Sequence, residues 1–533
     1  MRIRPISRAA RRAFAAALLL AAPAAAQRTA PTLTVLQLND VYRIDAVYDG
    51  RAGGIGRIVT LASQARAAGE ETMVFHAGDA IAPSLESRYF AGVQMVDALN
   101  YLDSLAPMVF VPGNHEFDER RQDAFVGAVK ASHFPWLAGN LALATTDSAV
   151  NRGVGSDTVI VTRGGLKVGV FTLTFLDSGR EWARADSAFV ADAERMITRL
   201  ERRGADVIVG LTHLEHATDR QISRLRRRHP RFAWICGGHE HFRLSDALTD
   251  STALITKGES NARGIWRVTL SGNGRRGMAS AQAVAVDSTI AIDPGYQARV
   301  ADAWRARLRQ RVPFLDVVIG RSETRMDATE ETVRGAESPW GSWLADQMRT
   351  AFPTRPADVA VLNGGALRID DVFGDTLRWE HLARSFGFPT RVALVTLKGS
   401  DLRSRVLENS VSGGRGEGRF LQVSGLKVTF DRGRPEGERV LDVQVRRGDG
   451  WAPLANDSSY VVAVPDYMYG GGDRYTFNQV ATGRVEPGPD LKLIAFDVLT
   501  NLYARGQAIA PRVEGRLIDR TRPDSGRQAT RNR

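Results

Sequence analysis

Residues 108–118 read Met-Val-Phe-Val-Pro-Gly-Asn-His-Glu-Phe-Asp, and they contain the pattern on which the first half of the chain is built. A short apolar run ends in a glycine-containing turn, and that turn carries an amide, an imidazole and carboxylates. Short apolar runs that alternate with helical stretches predict buried strands in a layered α/β domain. We therefore expect functional side chains in the loops beyond the strand ends. The same pattern recurs at residues 33–38, 73–76, 168–173, 207–211 and 233–236.

The polar turns carry side chains that bind metals. Carboxylates, amide oxygens and imidazoles are the groups that a pair of first-row divalent metals takes as ligands. A single histidine after a strand is more often an ordinary polar residue, and a single aspartate or asparagine there is often a helix cap or a turn residue. Five such turns in one chain, each after an apolar run, indicate a metal site instead. The candidate residues are Asp40, Tyr42, Asp79, Asn114, His115, Asp118, His213, His239 and His241.

These motifs resemble those of the calcineurin-like metallophosphoesterases, and within them those of the secreted 5′-nucleotidase and UDP-sugar hydrolase family. The resemblance covers about residues 32–519. It implies an α/β fold in which an N-terminal four-layer αββα sandwich precedes a mixed α+β C-terminal domain that binds nucleotides. It also implies two divalent metal ions (Zn²⁺, Mn²⁺, Co²⁺ or Mg²⁺) and attack on the phosphate ester by a metal-bound hydroxide.

The resemblance implies a role for each matched residue of the first half. Asp79 would bridge the two metals. His115 would stabilise charge on the phosphoryl group or on the leaving oxygen, and Asp118 would orient the imidazole. The remaining ligands would be divided between the two ions, with Asn114, His213 and His239 at one and Asp40 and His241 at the other.

Tyr42 departs from the family pattern, which usually has a histidine two residues after the first aspartate. A phenol is a poor ligand at neutral pH, because it must lose a proton with a pKa of about 10. Three interpretations are open. Tyr42 points away and water takes its place, or it binds as a phenolate and favours trivalent iron, or the site has lost one metal and most of its activity. The match at every other position argues against the last.

Segments of the second half resemble the nucleotide-binding segments of the same family. The two arginines among them would bind phosphate, since a guanidinium fork suits oxyanions. The two aromatic residues would hold the base between them, and such stacking tolerates different bases. An asparagine and an aspartate would hydrogen-bond the base or the ribose, whereas the Gly/Arg-rich loop 413–418 has no assigned role. The implied substrate-binding residues are Arg334, Asn363, Arg368, Phe386, Tyr467 and Asp473.

The chain divides at a predicted helix. Asp293 and Pro294 form a helix start, an N-cap followed by proline at the first helical position, and Pro313 follows the helical stretch. A nucleotide would lie in the cleft between the two domains, where closure excludes water, and the linker is the expected hinge. We predict a signal peptide over 1–26, a catalytic domain over 27–293, a linker helix over 294–315, a substrate-binding domain over 316–519 and a disordered tail over 520–533.

The two ends of the chain explain its charge. The chain has 533 residues and a net charge of +11, but residues 1–26 carry five arginines and no acid, and residues 520–533 carry five arginines and one aspartate. The rest of the chain is close to neutral, so a nucleic-acid-binding face is not expected. The single cysteine, Cys236, excludes an internal disulfide and a four-cysteine zinc site.

The N-terminal residues predict export. Arginines up to Arg12, the apolar run 13–22 and the alanines that end at Ala26 have the form of a secretory signal. That run is too short to span a bilayer, so we expect a periplasmic or extracellular protein without a transmembrane segment. The Arg11-Arg12 pair leaves open whether export is Sec-dependent or uses the twin-arginine route. The sequence predicts no oligomeric state.

The leading hypothesis is an exported dimetal phosphohydrolase of the 5′-nucleotidase type. UDP-sugars and 2′,3′-cyclic nucleotides are alternative substrates, because aromatic stacking does not distinguish them from 5′-monophosphates. The tyrosine at position 42 leaves open a catalytically impaired nucleotide-binding protein. A sulfur-oxidation hydrolase of the same superfamily is a further alternative, and the two aromatic positions argue against it, because a thiosulfonate has no base to stack.

Overall fold

The computed structural model describes residues 31–177, 179–352 and 355–521. The predicted signal peptide and residues 522–533 of the predicted tail lie outside these ranges. The N-terminal domain contains two large mixed sheets: the first has antiparallel strands at one edge only, and the second has parallel central strands between two antiparallel edge strands. The first sheet has the strand order Gly277–Ala285, Gly264–Gly272, Thr32–Leu38, Thr72–His76 and Met108–Phe110. The second has the order Leu244–Asp246, Leu254–Lys257, Phe232–Gly237, Val207–His213, Lys167–Thr174 and Asp157–Val161.

The two sheets pack face to face and are covered by helices on their outer faces. Val35 and Phe75 of the first sheet share one buried apolar cluster with Val170 and Val209 of the second. The helices Ile55–Ala67, Val93–Asp103 and Asp123–Ala131 pack on the outside of the first sheet. The helices Phe189–Arg202 and His216–Ser223 cover the second. The predicted four-layer αββα sandwich is therefore confirmed.

Smaller elements complete this domain. Two short strands pair to form a separate two-stranded sheet. A short helix directly precedes the helix Val93–Asp103. The short strands are Leu141–Leu143 and Ala183–Ala185, and the short helices are Leu85–Phe90, Ser148–Gly153, Asn114–Phe117, Arg224–Arg227 and Ser260–Ala262.

A continuous helical stretch leads to the C-terminal domain, as the Asp-Pro pair predicts. It comprises Pro294–Tyr296, a π-helical turn Gln297–Ala301 and Asp302–Arg311, and the Asp293 side chain accepts a hydrogen bond from the Tyr296 backbone N–H. Tyr296 and Trp304 pack into the core of the N-terminal domain. The C-terminal end of the stretch contacts both domains, because Leu308 and Val312 share an apolar cluster with Leu85 of the N-terminal domain and Ala383 of the C-terminal domain.

The C-terminal domain is mixed α+β, as predicted. Alternate residues of its inner strand Val359–Asn363 face two different apolar cores, because the strand is covered on both faces. The five-stranded sheet has the order Leu421–Ser424, Val359–Asn363, Ser459–Pro465, Arg391–Lys398 and Thr482–Asp490. The four-stranded sheet has the order Gly450–Pro453, Val440–Arg447, Leu426–Phe430 and Leu517–Asp519, and a separate pair consists of Val318–Ala328 and Asp371–Arg378.

The helices of the C-terminal domain lie on both faces of the five-stranded sheet. Two of them, Pro339–Thr350 and Leu491–Ala504, are the long ones, and both pack into the same core. In the described ranges no helix combines the length and the apolar character needed to cross a membrane. The shorter helices are Glu330–Val333, Gly364–Ala366, Trp379–Ser385, Gly399–Asp401, Leu402–Leu407, Glu408–Ser412, Asp466–Tyr469, Gly472–Arg474 and Phe477–Val480.

Candidate metal and substrate site

The predicted metal ligands converge at the carboxyl ends of the parallel strands. Asp40 and Asp79 follow two neighbouring strands of the first sheet, and His213 ends a central strand of the second. Parallel strands bring their carboxyl ends to one edge of a sheet, and the face-to-face packing brings the two edges together. The ligand atoms of these three residues all lie within 4.8 Å of one another, and all three side chains are buried.

The other predicted ligands surround this group. The Asn114 side-chain oxygen lies 3.1 Å from His213 Nε2, and His213 Nε2 lies 3.3 Å from Asp79 Oδ2. His241 Nε2 lies 3.3 Å from Asp40 Oδ1. The His239 ring is 5.5 Å from the His213 ring, measured between centroids, and its backbone N–H donates to Asp40 Oδ2.

Tyr42 points into the cluster. Its hydroxyl oxygen lies 3.2 Å from Asp40 Oδ1, 3.2 Å from Asp79 Oδ2 and 3.0 Å from His241 Nε2. The interpretation in which Tyr42 turns away from the metal site is therefore wrong. The tyrosine is held there because its ring is buried beside His241 and its backbone N–H donates to the Asn261 side chain.

These residues fit divalent metal ions. Ligand atoms that share one metal at about 2.1 Å lie roughly 3 Å from one another, and the contacts among Asp40, Tyr42 and His241 have that spacing. The backbone also supports a binding role, since Asp40, Asp79 and His239 adopt positive φ angles of 54°, 58° and 81°. Such conformations cost energy in residues other than glycine, and they cluster where function requires a fixed side chain.

The electrostatics of the cluster also call for a cation. Burial raises the pKa of Asp79, but the neighbouring His213 and His115 outweigh it and hold that pKa well below its usual range. Burial lowers the pKa of His213, but the Asp79 carboxylate outweighs it and raises that pKa to about 10. Two buried carboxylates thus require positive charge beside them, and divalent metals would supply it.

Glu116 supports the site in a way that the sequence analysis missed. Its carboxylate accepts hydrogen bonds from the backbone N–H groups of Asp79, Ala80, Ile81 and Gly113, at 2.5 to 3.1 Å. It thereby joins the turn that carries Asp79 to the turn that carries Asn114. Gly113 is required at this junction, because a Cβ atom there would lie 2.2 Å from Asp79 Oδ1. Glu116 lies within residues 108–118, between His115 and Phe117, and this position is the sequence signal that points to its role.

Lys257 is a second residue that supports the site, and no sequence pattern predicts this role. Its ammonium group is fully buried and donates to the carbonyl oxygens of Leu214 and Gly238, at 2.5 and 2.9 Å. Asp219 lies 2.9 Å away and Glu240 also pairs with the ammonium, so two carboxylates stabilise its buried charge. Lys257 therefore holds together the two loops that follow His213 and precede His239.

His115 and Asp118 form the predicted dyad. His115 Nδ1 lies 2.9 Å from Asp118 Oδ2, so the carboxylate orients the ring. The other ring nitrogen, Nε2, lies 3.9 Å from Asp79 Oδ2 and 3.5 Å from an Arg368 guanidinium nitrogen. His115 therefore lies between the cluster of candidate metal ligands and the C-terminal domain.

A cleft of about 880 Å³ joins the two domains at this point. On the C-terminal side it is lined by Arg334, which pairs with Glu330, and by Arg368, which approaches His115 of the N-terminal domain. Among the described residues, neither Arg334 Nε nor Arg368 Nη1 has a hydrogen-bond partner. The unassigned loop 413–418 contributes Gly416 and Gly418 to this wall, and Gly416 exchanges two hydrogen bonds with Arg334.

The base-binding prediction is partly wrong. Tyr467 lines the cleft with 57% of its surface exposed, and its hydroxyl donates to Asp473, which also accepts a hydrogen bond from Asn363. Phe386 does not reach the cleft, because its backbone pairs with Leu367 and its ring packs in the apolar core with 1% exposed. Phe388 lines the cleft instead, and its ring lies 5.8 Å from that of His115. The Phe-Gly-Phe sequence offers both rings, and only packing selects one.

Comparison with known families identifies the class. Residues 33–243 match the calcineurin-like phosphoesterase family, and residues 318–480 match the 5′-nucleotidase C-terminal domain. Together with the carboxylate and imidazole cluster, the fold defines a metal-dependent phosphoester hydrolase. The chain belongs to the calcineurin-like phosphoesterases that carry a 5′-nucleotidase C-terminal domain.

Individual relatives span nearly the whole chain. The 5′-nucleotidase of Bos taurus is 24% identical over 535 residues, covering 91% of this chain and 90% of its own. A 5′-nucleotidase precursor from Thermus thermophilus has a TM-score of 0.75 and 22% identity, and covers 92% of this chain and 100% of its own. The sulfate thiohydrolase SoxB of Thermus thermophilus has a TM-score of 0.67 and 16% identity, with coverages of 92% and 97%. The two structural likenesses show the shared fold.

Proposed function

We propose that this chain is a 5′-nucleotidase, which hydrolyses the phosphate ester of a nucleotide to phosphate and a nucleoside. One observation carries the proposal: a single cleft joins the cluster of candidate metal ligands and His115 to the buried Arg334, the half-buried Arg368 and, beyond them, the exposed ring of Tyr467. These groups match the parts of a nucleotide in order, because the arginines suit phosphate and the aromatic ring suits a base. The names of the Bos taurus and Thermus relatives agree with it.

The residues of the chain divide the chemistry among them. Two divalent metals, when bound by the cluster, lower the pKa of water and neutralise charge on the phosphoryl oxygens. Arg334 and Arg368 hold the phosphate from the other side of the cleft. His115 Nε2 faces the space between Asp79 and Arg368, where it would stabilise negative charge on the phosphoryl group or on the leaving oxygen. Asp118 keeps the ring in that orientation.

Tyr42 would be a ligand of the metal that Asp40 and His241 hold. Its hydroxyl has the same spacing to both residues as they have to each other, which supports a shared ion. A phenolate ligand favours trivalent iron. The test is the visible spectrum of the iron-loaded protein, in which a charge-transfer band that disappears in Tyr42→Phe is expected. An active, metal-loaded wild-type enzyme without such a band would rule out phenolate ligation to iron.

Four other functions remain as alternatives. UDP-sugars and 2′,3′-cyclic nucleotides also carry a base and a phosphate, so the same cleft would accept them. An impaired nucleotide-binding protein is the alternative that Tyr42 raises. The fold shared with SoxB admits a thiosulfonate hydrolase, but the exposed Tyr467 ring and the two arginines favour a nucleotide.

A substrate panel separates these alternatives. The purified protein is incubated with AMP, a UDP-sugar, a 2′,3′-cyclic nucleotide and a thiosulfonate, each with Mn²⁺, Co²⁺, Zn²⁺ or iron. We expect the fastest release of product from AMP. Binding of AMP without release of phosphate in every metal would support the impaired protein instead, and turnover of only the thiosulfonate would support the SoxB-like activity.

We also propose that the protein is exported by way of the N-terminal 26 residues. The arginines and the apolar run of that segment support export. Fractionation of the producing cells followed by N-terminal sequencing tests it. We expect a mature chain that starts at Gln27 outside the cytoplasm, whereas an uncleaved cytoplasmic chain would contradict export.

A further inference from the structure

The two site histidines His213 and His241 are supported by different domains. The Nδ1 atom of His213 lies 2.7 Å from the carbonyl oxygen of Ala77, within the N-terminal domain. The Nδ1 atom of His241 lies 2.5 Å from Oε1 of Glu330, which belongs to the C-terminal domain. The partner of the second ring nitrogen sets the tautomer and orientation of a metal-binding imidazole. His241 therefore depends on a residue from across the domain boundary.

Glu330 is held firmly in this position. It is buried and begins a short helix, which Thr329 caps, and its backbone N–H donates to Asp370 at 2.8 Å. Its second carboxylate oxygen pairs with the Ser260 hydroxyl and with Arg263, both in the N-terminal domain. A buried carboxylate with several charge-assisted partners keeps one orientation. Its geometry thus belongs to the docked arrangement of the two domains.

The oxygen of Glu330 that faces His241, Oε1, also contacts the substrate side of the cleft. Arg334 donates to Glu330 Oε1 at 2.7 Å, and Arg334 is one of the two arginines predicted to bind phosphate. One oxygen atom of Glu330 therefore contacts both a predicted metal ligand and a predicted substrate ligand. This contact links the two ends of the reaction site through a single side chain.

We propose that Glu330 is a positioning residue for the metal held by Asp40 and His241, so that full affinity for this ion requires the two domains to be docked. The proposal rests on the metal ligands of the proposed function. His241 Nδ1–H donates to Glu330, which leaves the Nε2 lone pair directed toward Asp40 and Tyr42. When the domains separate, the ring loses its acceptor. The ion at His213 has no such dependence, because Ala77 lies in the same domain.

Binding of the metal and docking of the domains are then linked in both directions. An ion that binds the docked state more tightly shifts the population toward that state by the same factor. Glu330 would thus make the metal-loaded enzyme the one with a formed substrate cleft.

The test is a titration of the full-length, metal-free protein with Zn²⁺ alone against a chromogenic chelator, without substrate. The variants are Glu330→Gln, which keeps the side-chain volume, and Glu330→Ala. The matched control is Glu331→Gln, since Glu331 is the next residue and is exposed. We expect two binding events in the wild type and in the control. In both Glu330 variants one event should weaken roughly 10- to 100-fold and the other should be unchanged.

A double-mutant comparison shows whether Glu330 acts through His241. We expect His241→Ala to weaken the same event, and Glu330→Ala to add no further loss in the His241→Ala background. Wild-type affinity for both ions in folded Glu330→Gln, or equal weakening of both, would overturn the positioning role alone. A silent His241→Ala would overturn that role together with the metal assignment. Circular dichroism of each variant checks that it is folded.

Discussion

The two walls of the cleft are built differently. On the N-terminal wall Asp40, Asp79 and His213 are buried, and each has several partners of fixed geometry. On the C-terminal wall Tyr467 is largely exposed, and Arg368 carries a guanidinium nitrogen without a partner among the described residues. The N-terminal wall, which carries the chemistry, is therefore preorganised. The C-terminal wall, which recognises the substrate, has side-chain groups that are available to contact a ligand. The difference fits a division in which one domain cleaves and the other selects the substrate.

Asp79→Asn tests the preorganised wall most severely. Asp79 would bridge the two metals, so loss of its charge should release metal and lower kcat/KM by roughly 10³-fold or more, since charge stabilisation by metal is worth several kcal/mol. Metal content by mass spectrometry and phosphate release from AMP measure both effects. Asp250→Asn, at an exposed aspartate, is the control. Full metal content with wild-type turnover would contradict the bridging role.

His115→Ala should separate chemistry from metal binding on the same wall. We expect kcat to fall roughly 10²- to 10⁴-fold, because a positioned acid or base contributes about that much, while the metal content stays at the wild-type level. His133→Ala, at an exposed histidine, should change neither quantity. If His115→Ala loses metal as Asp79→Asn does, the two residues do not have different roles.

The recognition wall should respond in KM instead of kcat. Removal of the Phe388 or the Tyr467 ring should raise the KM for AMP roughly 5- to 100-fold, since base stacking is worth about 1–3 kcal/mol. Phe386→Ala is the informative comparison, because that ring is in the core. It should lower the melting temperature, with a loss of about 3–5 kcal/mol of unfolding free energy. An unchanged KM in Phe388→Ala would remove Phe388 from the substrate site.

The smallest effect is expected at the rim of the cleft. Arg474 of the C-terminal domain pairs with Glu215 of the N-terminal domain, and both side chains are exposed. An exposed ion pair is worth about 0–1 kcal/mol, so Arg474→Ala should change KM less than about fivefold, and the change should shrink in high salt. A larger, salt-independent effect would mean that the rim pair holds the domains together, a role that we assign to buried contacts.

Local pattern sufficed for most of the N-terminal wall. The positions of Asp79 and His213 in the site could be predicted, because polar residues at the end of a buried parallel strand lie at the carboxyl edge of the sheet. The C-terminal wall was harder, because its residues come from loops. Phe386 and Phe388 are two residues apart with the same chemistry, and the pairing of Phe386 with Leu367 decides between them.

The sequence by itself determined the short buried strands and the set of ligand-type residues, because strand periodicity and strand-end chemistry are local properties of a chain, and its resemblance to a known family implied the four-layer sandwich. Only the tertiary structure decided that Tyr42 points into the cluster, that Phe388 and not Phe386 lines the cleft, and that Glu330 of the other domain contacts His241. Those outcomes depend on contacts between residues far apart in the chain, and local spacing carries no information about such contacts.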